Sequence, residues 1–270
     1  MSASLIALLS DLGTKDYFVG AMKGVILTIN PEVKIIDISH ELPRHDVRIA
    51  ALTLLNAAIT FPRGSIFVVV VDPGVGTERK CILLETKNTL RFVAPDNGVL
   101  TLVAREFGIS SVREITNKSL MRAEVSPTFH GRDIMAPVAA HLSLGVDPSE
   151  VGPELGSIQT VDFPSPEWLG DRLKGHVLSV DGFGNLLTDI GSELVHRFAK
   201  LGNGLRIRFE SGEIRAKLAR TFGEVGKGEY LCYIGSTGML EIAKNMGDLA
   251  GEVGVGVGSE LVLMRENDEI

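Results

Sequence analysis

The run Phe67–Val71 is aromatic and β-branched throughout, stops at Asp72, and gives way to Pro73, Gly74 and Gly76. Such a run reads as a buried strand closed by a Gly/Pro turn. It delivers one carboxylate to the strand's carboxyl end, where ligands bind in open α/β sheets. The alternative is that Asp72 only initiates the turn, which an Asp before Pro-Gly does readily.

The sequence around this strand alternates β-like and helical patterns. Leu5–Leu9, Val33–Ile38, Ser65–Val71, Cys81–Glu85 and Leu90–Ala94 read as strands. Phe18–Ile29, Asp46–Phe61, Val99–Phe107 and Met135–Leu144 read as helices, with Asp96 or Asn97 as N-cap of the third. This alternation predicts an N-terminal layered α/β domain with a mostly parallel sheet, over residues 1–160. Strand ends at Asp11, Asp37, Asp72 and Asp96 are acidic, so Asp11, Asp72 and Asp96 can share one crevice. Asp162-Phe163-Pro164-Ser165-Pro166 resists regular structure, and residues 161–170 read as a linker. Residues 171–270 are rich in short β-like runs and glycine turns: Leu173–Val180, Gly204–Phe209, Glu213–Leu218, Leu231–Ile234 and Glu260–Met264. Glu241–Asn245 reads as a helical turn. A smaller C-terminal antiparallel β-barrel follows from this pattern.

Composition narrows the function. Of 270 residues, 44% are hydrophobic and 23% charged, and the net charge is −7, which disfavours a broad nucleic-acid surface. No apolar run is long enough to span a bilayer, so no membrane role is expected. The N-terminus lacks a basic n-region and reads as a first strand, not a signal peptide. The two cysteines, Cys81 and Cys232, form neither a metal spacing nor a disulfide framework, which fits a cytoplasmic location.

Several positions can carry chemistry. Asp11–Asp16 is a carboxylate-bearing loop, although Asp16 can simply cap the next helix. Arg79 lies just past the glycine turn and can hold Asp72 ionised. His130 sits in the loop Thr128-Phe129-His130-Gly131-Arg132-Asp133, either as a site residue or as an ordinary structural histidine. His40, Asp37 and Asp72 can in principle hold a metal, without a tight spacing. In Val180-Asp181-Gly182-Phe183-Gly184-Asn185, Phe183 can stack on a planar ring and Asn185 can read its edge; the alternative is a hairpin turn with a core Phe. Gly235-Ser236-Thr237-Gly238 can bind a carboxylate through backbone N–H groups or merely turn the chain. No Walker sequence, nucleophile elbow or complete dinucleotide fingerprint is present.

Six motifs occur in order: Ser-Asp-Leu-Gly-Thr-Lys-Asp-Tyr, Val-Asp-Pro-Gly-Val-Gly-Thr-Glu-Arg, Ala-Pro-Asp-Asn-Gly-Val-Leu, Thr-Phe-His-Gly-Arg-Asp, Val-Asp-Gly-Phe-Gly-Asn-Leu and Gly-Ser-Thr-Gly-Met-Leu-Glu-Ile-Ala. Together they resemble the S-adenosyl-L-methionine (SAM) hydroxide adenosyltransferases, relatives of fluorinase and chlorinase, over nearly the whole chain. The resemblance implies hydrolysis of SAM to adenosine and L-methionine, with SAM as substrate, no cofactor and no metal. It implies a homotrimer with active sites at subunit interfaces. It maps a catalytic triad onto Asp72, Arg79 and His130, which the halogenases lack, so water is expected in place of halide. It maps a ribose contact onto Asp11, and ammonium contacts onto Asp16 and Asp181. Ser236 is the implied carboxylate contact. Phe183 and Asn185, with Phe222 and Met246, fall at the adenine. Thr237 stands where fluorinase has Arg, and His45 near a ribose-side Trp. The rival readings are a metal-dependent phosphoesterase using Asp11, Asp37, Asp72 and His130, and a non-catalytic adenosine- or SAM-binding protein.

Overall fold

The computed structural model describes residues 5–266. The chain divides into two compact units, Met1–Asp162 and Phe163–Ile270.

In the first unit, β1 (Leu5–Ser10), β2 (Lys34–Ser39), β3 (Ile66–Val70), β4 (Cys81–Thr86), β5 (Arg91–Pro95) and β6 (Ile109–Glu114) form one sheet in the order β2-β1-β3-β5-β4-β6. The pairs β1–β2, β1–β3 and β3–β5 are parallel, whereas β4 runs antiparallel to β5 and β6. Helices α1 (Phe18–Ile29), α2 (Val47–Ala58), α3 (Thr101–Phe107) and α4 (Ala136–Ser143) cover both faces. Ile6, Leu8, Val68 and Val70 pack with Met22 and Ile26 of α1 and Ala139 of α4. The alternate residues Ala7, Leu9, Phe67, Val69 and Val71 pack with Ala50 and Leu54 of α2 and Val103 of α3. Burial on both faces is why β3, and β1 before its last residue Ser10, are apolar at every position. Phe67 also stacks on Phe92, with ring centroids 4.7 Å apart.

Asp46 caps α2 by accepting from the Ile49 N–H, worth roughly 1 kcal/mol. The expected cap of α3 is not found. The helix begins two residues later than the apolar pattern suggests, with Leu100 at its N-cap. Asp96 instead accepts from the Gln159 N–H, and Asn97 donates to the Val71 carbonyl at the end of β3. The Asn97 side-chain oxygen still accepts from the Val99 N–H at 3.2 Å, but this turn precedes the helix and does not cap it. Strand β6 was not legible, because Ser110, Ser111, Arg113 and Glu114 break its apolar pattern.

In the second unit, strands β7 (Glu167–Leu169), β8 (Arg172–Val180), β9 (Leu186–Gly191), β10 (Gly204–Phe209), β11 (Gly212–Leu218), β12 (Tyr230–Ile234), β13 (Met239–Lys244) and β14 (Glu260–Arg265) run in the order β14-β10-β11-β12-β13-β9-β8-β7. Pairing of β8 with β14 closes seven of them into a barrel. All barrel pairs are antiparallel except β11–β12. Leu173, Val177, Ile207, Ile242, Leu261 and Leu263 fill its interior from alternate strand positions. Two short helices, α5 (Ser192–Phe198) and α6 (Leu249–Val253), complete the unit. Glu241–Asn245 is not a helical turn: all but its last residue lies in β13, where alternate residues face the barrel core. Residues 167–169, read as linker, form β7. No helix among the described residues is long and apolar enough to cross a membrane.

Candidate active site

Parallel pairing brings the carboxyl ends of β1, β3 and β5 to one side of the sheet. Ser10 pairs with Val70, so Asp11 and Asp72 leave neighbouring strands at the same level. The chain then passes from β3 to β4, skipping β5, and β4 starts at the same side because it is antiparallel. The loop of residues 71–80 therefore never leaves the carboxyl edge, and Arg79 turns back onto Asp72.

Arg79 is the hub. Its Nε–H donates to Asp72 Oδ1 at 2.8 Å, and Nη2 donates to Asp72 Oδ2. Nη2 also lies 2.9 Å from His130 Nδ1, and Nη1 lies 2.9 Å from Cys81 Sγ. The Asp72 and Arg79 side chains are 6% and 10% exposed, so this bidentate pair is largely out of water. Burial works against the Arg79 charge, but its bonds to Asp72 and Cys81 outweigh that and raise its pKa. Burial pushes the Cys81 thiol up, against the pull of Arg79, so it meets the guanidinium as a neutral thiol.

His130 arrives from 51 residues away on a tightly held loop. Gly131 starts a π-helical turn, Gly131–Met135, that leads into α4. A Cβ at Gly131 would lie 2.9 Å from Val70 Cγ1, so only glycine lets this turn seat against β3. Gly76 makes the other close approach. Its φ is +77°, and a Cβ there would lie 2.5 Å from the Pro127 carbonyl oxygen, where the two loops meet. Asp133, fully buried, closes the His130 loop. It accepts from Arg132 at 2.7 and 2.8 Å and from the Ser126 N–H at 2.9 Å. Burial, then the Arg79 charge, lowers the His130 pKa, with Asp72 and Asp133 pulling the other way.

Asp11 accepts from the His45 N–H at 2.8 Å and holds His45 at φ +65°. Such a backbone in a non-glycine residue costs on the order of 1 kcal/mol or more and needs an anchor. Asp16 is exposed and does not cap α1, whose N-cap is Tyr17 without a side-chain bond. The rival metal ligands do not converge. Asp37 is bonded to Lys23 and His40, and no cluster of three such ligands occurs among the described residues.

The second unit's candidates fall into two groups. Asp181 organises the β8–β9 loop: its carboxylate accepts from the Phe183 and Asn185 N–H groups and from the Asn185 side-chain amide, at 2.8–2.9 Å. Phe183 is 81% exposed, so it is not a core residue of the turn. The loop also touches the segment after β13, where the Ala250 N–H donates to the Gly184 carbonyl. In that segment Met246 is 79% exposed with φ +61°. The neighbouring Asn245 amide holds the Phe222 turn through the Phe222 and Val225 carbonyls. Phe222 lies against Tyr233, which donates to Glu241. Ser236 and Thr237 lie in the β12–β13 turn, whose Gly235 packs against the Glu241 side chain that Tyr233 donates to. Their turn adjoins the far end of β9, where Met239 pairs with Gly191, while Leu186 at the near end pairs with Val180. Ser236 is exposed, and the Thr237 hydroxyl is buried without a partner among the described residues.

The sequence models of the SAM hydroxide adenosyltransferase N-terminal and C-terminal domains match residues 6–152 and 175–262. The chain belongs to the SAM hydroxide adenosyltransferase family. It is 38% identical over 259 residues to the (R)-S-adenosyl-L-methionine hydrolase of Salinispora tropica, covering 95% of this chain and 96% of that protein. It is 32% identical over 276 residues to the fluorinase of an Actinoplanes species, covering 91% and 92%. A crystal structure of an uncharacterized conserved protein from Thermotoga maritima superposes with a TM-score of 0.93 at 44% identity, covering 96% of this chain and all of that one.

Sequence reasoning did not find Cys81, Asp133, Tyr233 or Glu241. Cys81 follows Arg79 by two residues, but nothing in the spacing marks a thiol as a guanidinium acceptor. Asp133 carried a usable signal, since it closes a loop already singled out for its histidine.

Proposed function

We propose that this protein hydrolyses SAM to adenosine and L-methionine, with Asp72, Arg79 and His130 as the catalytic residues. The observation that carries the reading is the Arg79 hub, which binds a carboxylate and an imidazole at the ligand end of the sheet. Relatives named as SAM hydrolases over almost the whole chain support it.

The chemistry suits these groups. A sulfonium leaves readily without acid assistance. What the reaction requires is one water held in line with ribose C5′ and relieved of a proton. Asp72 and His130, both bonded to Arg79, hold that water between them in this reading, and the Arg79 charge favours hydroxide-like character there. In this reading Asp11 binds the ribose hydroxyls, and exposed, uncapped Asp16 faces the substrate ammonium together with Asp181. Phe183 stacks on adenine with Asn185 at its edge, Phe222 and Met246 completing that wall. Ser236 and the Thr237 backbone bind the carboxylate. The family resemblance adds to this reading a homotrimer with sites between subunits, which light scattering of the purified protein tests. Disagreement of the mass with three chains would remove that part.

The test of function is direct. Purified protein is incubated with SAM, with and without EDTA and with and without halide, and products are separated. EDTA-resistant release of adenosine and methionine is the expected result. Loss of activity with EDTA sinks the reading in favour of a metal enzyme, 5′-halo-adenosine favours a halogenase, and binding without turnover favours a carrier.

A further inference from the structure

The hydrolase reading does not say which of Asp72 and His130 receives the proton that the attacking water gives up. The bonding around Arg79 answers it. A guanidinium has donors and no acceptor. Nε–H and one Nη2–H point at Asp72, and the other Nη2–H points at His130 Nδ1, 2.9 Å away. Nδ1 therefore accepts, and its lone pair is occupied. A neutral imidazole that accepts at Nδ1 carries its proton on Nε2. Nε2 has no bonding partner among the described residues. The nitrogen left for a ligand is thus a donor.

We propose that His130 acts as an Nε2–H donor that orients the attacking water through its oxygen, and that Asp72 takes the proton. This rests on the hydrolase reading. A water has two lone pairs and two hydrogens. One lone pair attacks C5′, the other accepts from His130 Nε2–H, and one hydrogen is directed at Asp72. As the O–C5′ bond forms, the C5′–S bond breaks and its electron pair stays on the methionine sulfur. The attacking oxygen becomes that of a protonated alcohol, a much stronger acid than a carboxylic acid. Asp72 can therefore accept the proton although Arg79 already binds both its oxygens, and it passes the proton to solvent afterwards. For His130 to serve as base at Nε2, its proton would first have to move to Nδ1, turning an N–H against the N–H of Arg79. The groups around the ring agree with a neutral imidazole: burial and the Arg79 charge disfavour protonation, opposed by Asp72 and Asp133.

The experiment is ¹⁵N NMR of histidine-labelled full-length protein near neutral pH, with the His130 signals assigned by their loss in His130→Gln. The expected result is a protonated Nε2 and an unprotonated, hydrogen-bonded Nδ1. Kinetics gives a second readout. The Gln amide can donate from near the Nε2 position, so His130→Gln should keep kcat within about tenfold, the scale of one hydrogen bond. It should also lose the acid limb that His130 protonation gives the wild-type pH profile. Asp72→Asn should lose about a hundredfold or more. An Nδ1-protonated ring, or a His130→Gln loss as deep as that of Asp72→Asn, overturns the proposal while adenosine release by the wild type leaves the hydrolase reading intact. No adenosine from the wild type removes the hydrolase reading and the catalytic roles with it; the NMR result separates the two failures because it needs no substrate.

Discussion

The two units carry their candidate residues in opposite ways. In the first, Arg79 bonds both Asp72 and His130, and the Asp72–Arg79 pair is nearly dry. In the second, Asp181 turns its carboxylate on its own loop, and the side chains offered outward are apolar and exposed: Phe183 at 81% and Met246 at 79%. Groups that handle a proton must be fixed before substrate arrives, because their effect depends on geometry to a fraction of an ångström. Groups that cover a flat ring only need to be present on a well-held loop. The contrast separates a reacting half from a gripping half, and substitutions on each side should show it in different kinetic constants.

The largest effect belongs to Asp72→Ala. Turnover should fall by a factor of hundreds or more with a small change in KM. Near-normal adenosine release from this variant would remove Asp72 from the chemistry. Gly131→Ala comes next. The added methyl meets Val70, overpacking should cost about 1–3 kcal/mol, and displacement of His130 should lower kcat more than it changes KM. An unchanged melting temperature together with unchanged kcat would mean that the close approach does not position the histidine. Asp181→Ala should act mainly on KM. It releases three loop hydrogen bonds worth roughly 1 kcal/mol each, so KM should rise about tenfold or more; a fall in kcat alone would blur the division between the halves. Phe183→Ala should be smallest, raising KM by at most about tenfold from lost stacking of roughly 0.5–1.5 kcal/mol. Its melting temperature should not move, because the ring is exposed; destabilisation would return Phe183 to a structural role.

The α/β half was legible because its signals are strong and local. The run Phe67–Val71 admits little except a doubly buried strand, and α1 begins and ends where its periodicity does. The failures occur where distant contacts override local chemistry. Asp96 looks like a helix cap but bonds to residue 159, and Asn97 ties residue 71 to a local turn at Val99 ahead of the helix. The stretch at residues 241–245 carries Glu, Ala and Lys, good helix formers, yet pairing with β12 and β9 makes all but its last residue strand. For the site, Asp72 and Arg79 are joined by a short loop and could be paired by inspection. Nothing local in the sequence joins His130 to them, so its place came from the family resemblance, and its hydrogen-bonded state from the structure alone.

The passage from β3 to β4 over the end of β5 has one more consequence. Because β4 is antiparallel, Asp72 and Arg79 are separated by seven residues, instead of the dozen or more that a helical crossover needs. Closing so short a loop forfeits little chain entropy, whereas docking His130 closes one of 51 residues. The ion pair can thus form early in folding, as a local contact. The histidine completes it only when α4 docks on the sheet, so the competence of the site reports that the whole first unit has folded.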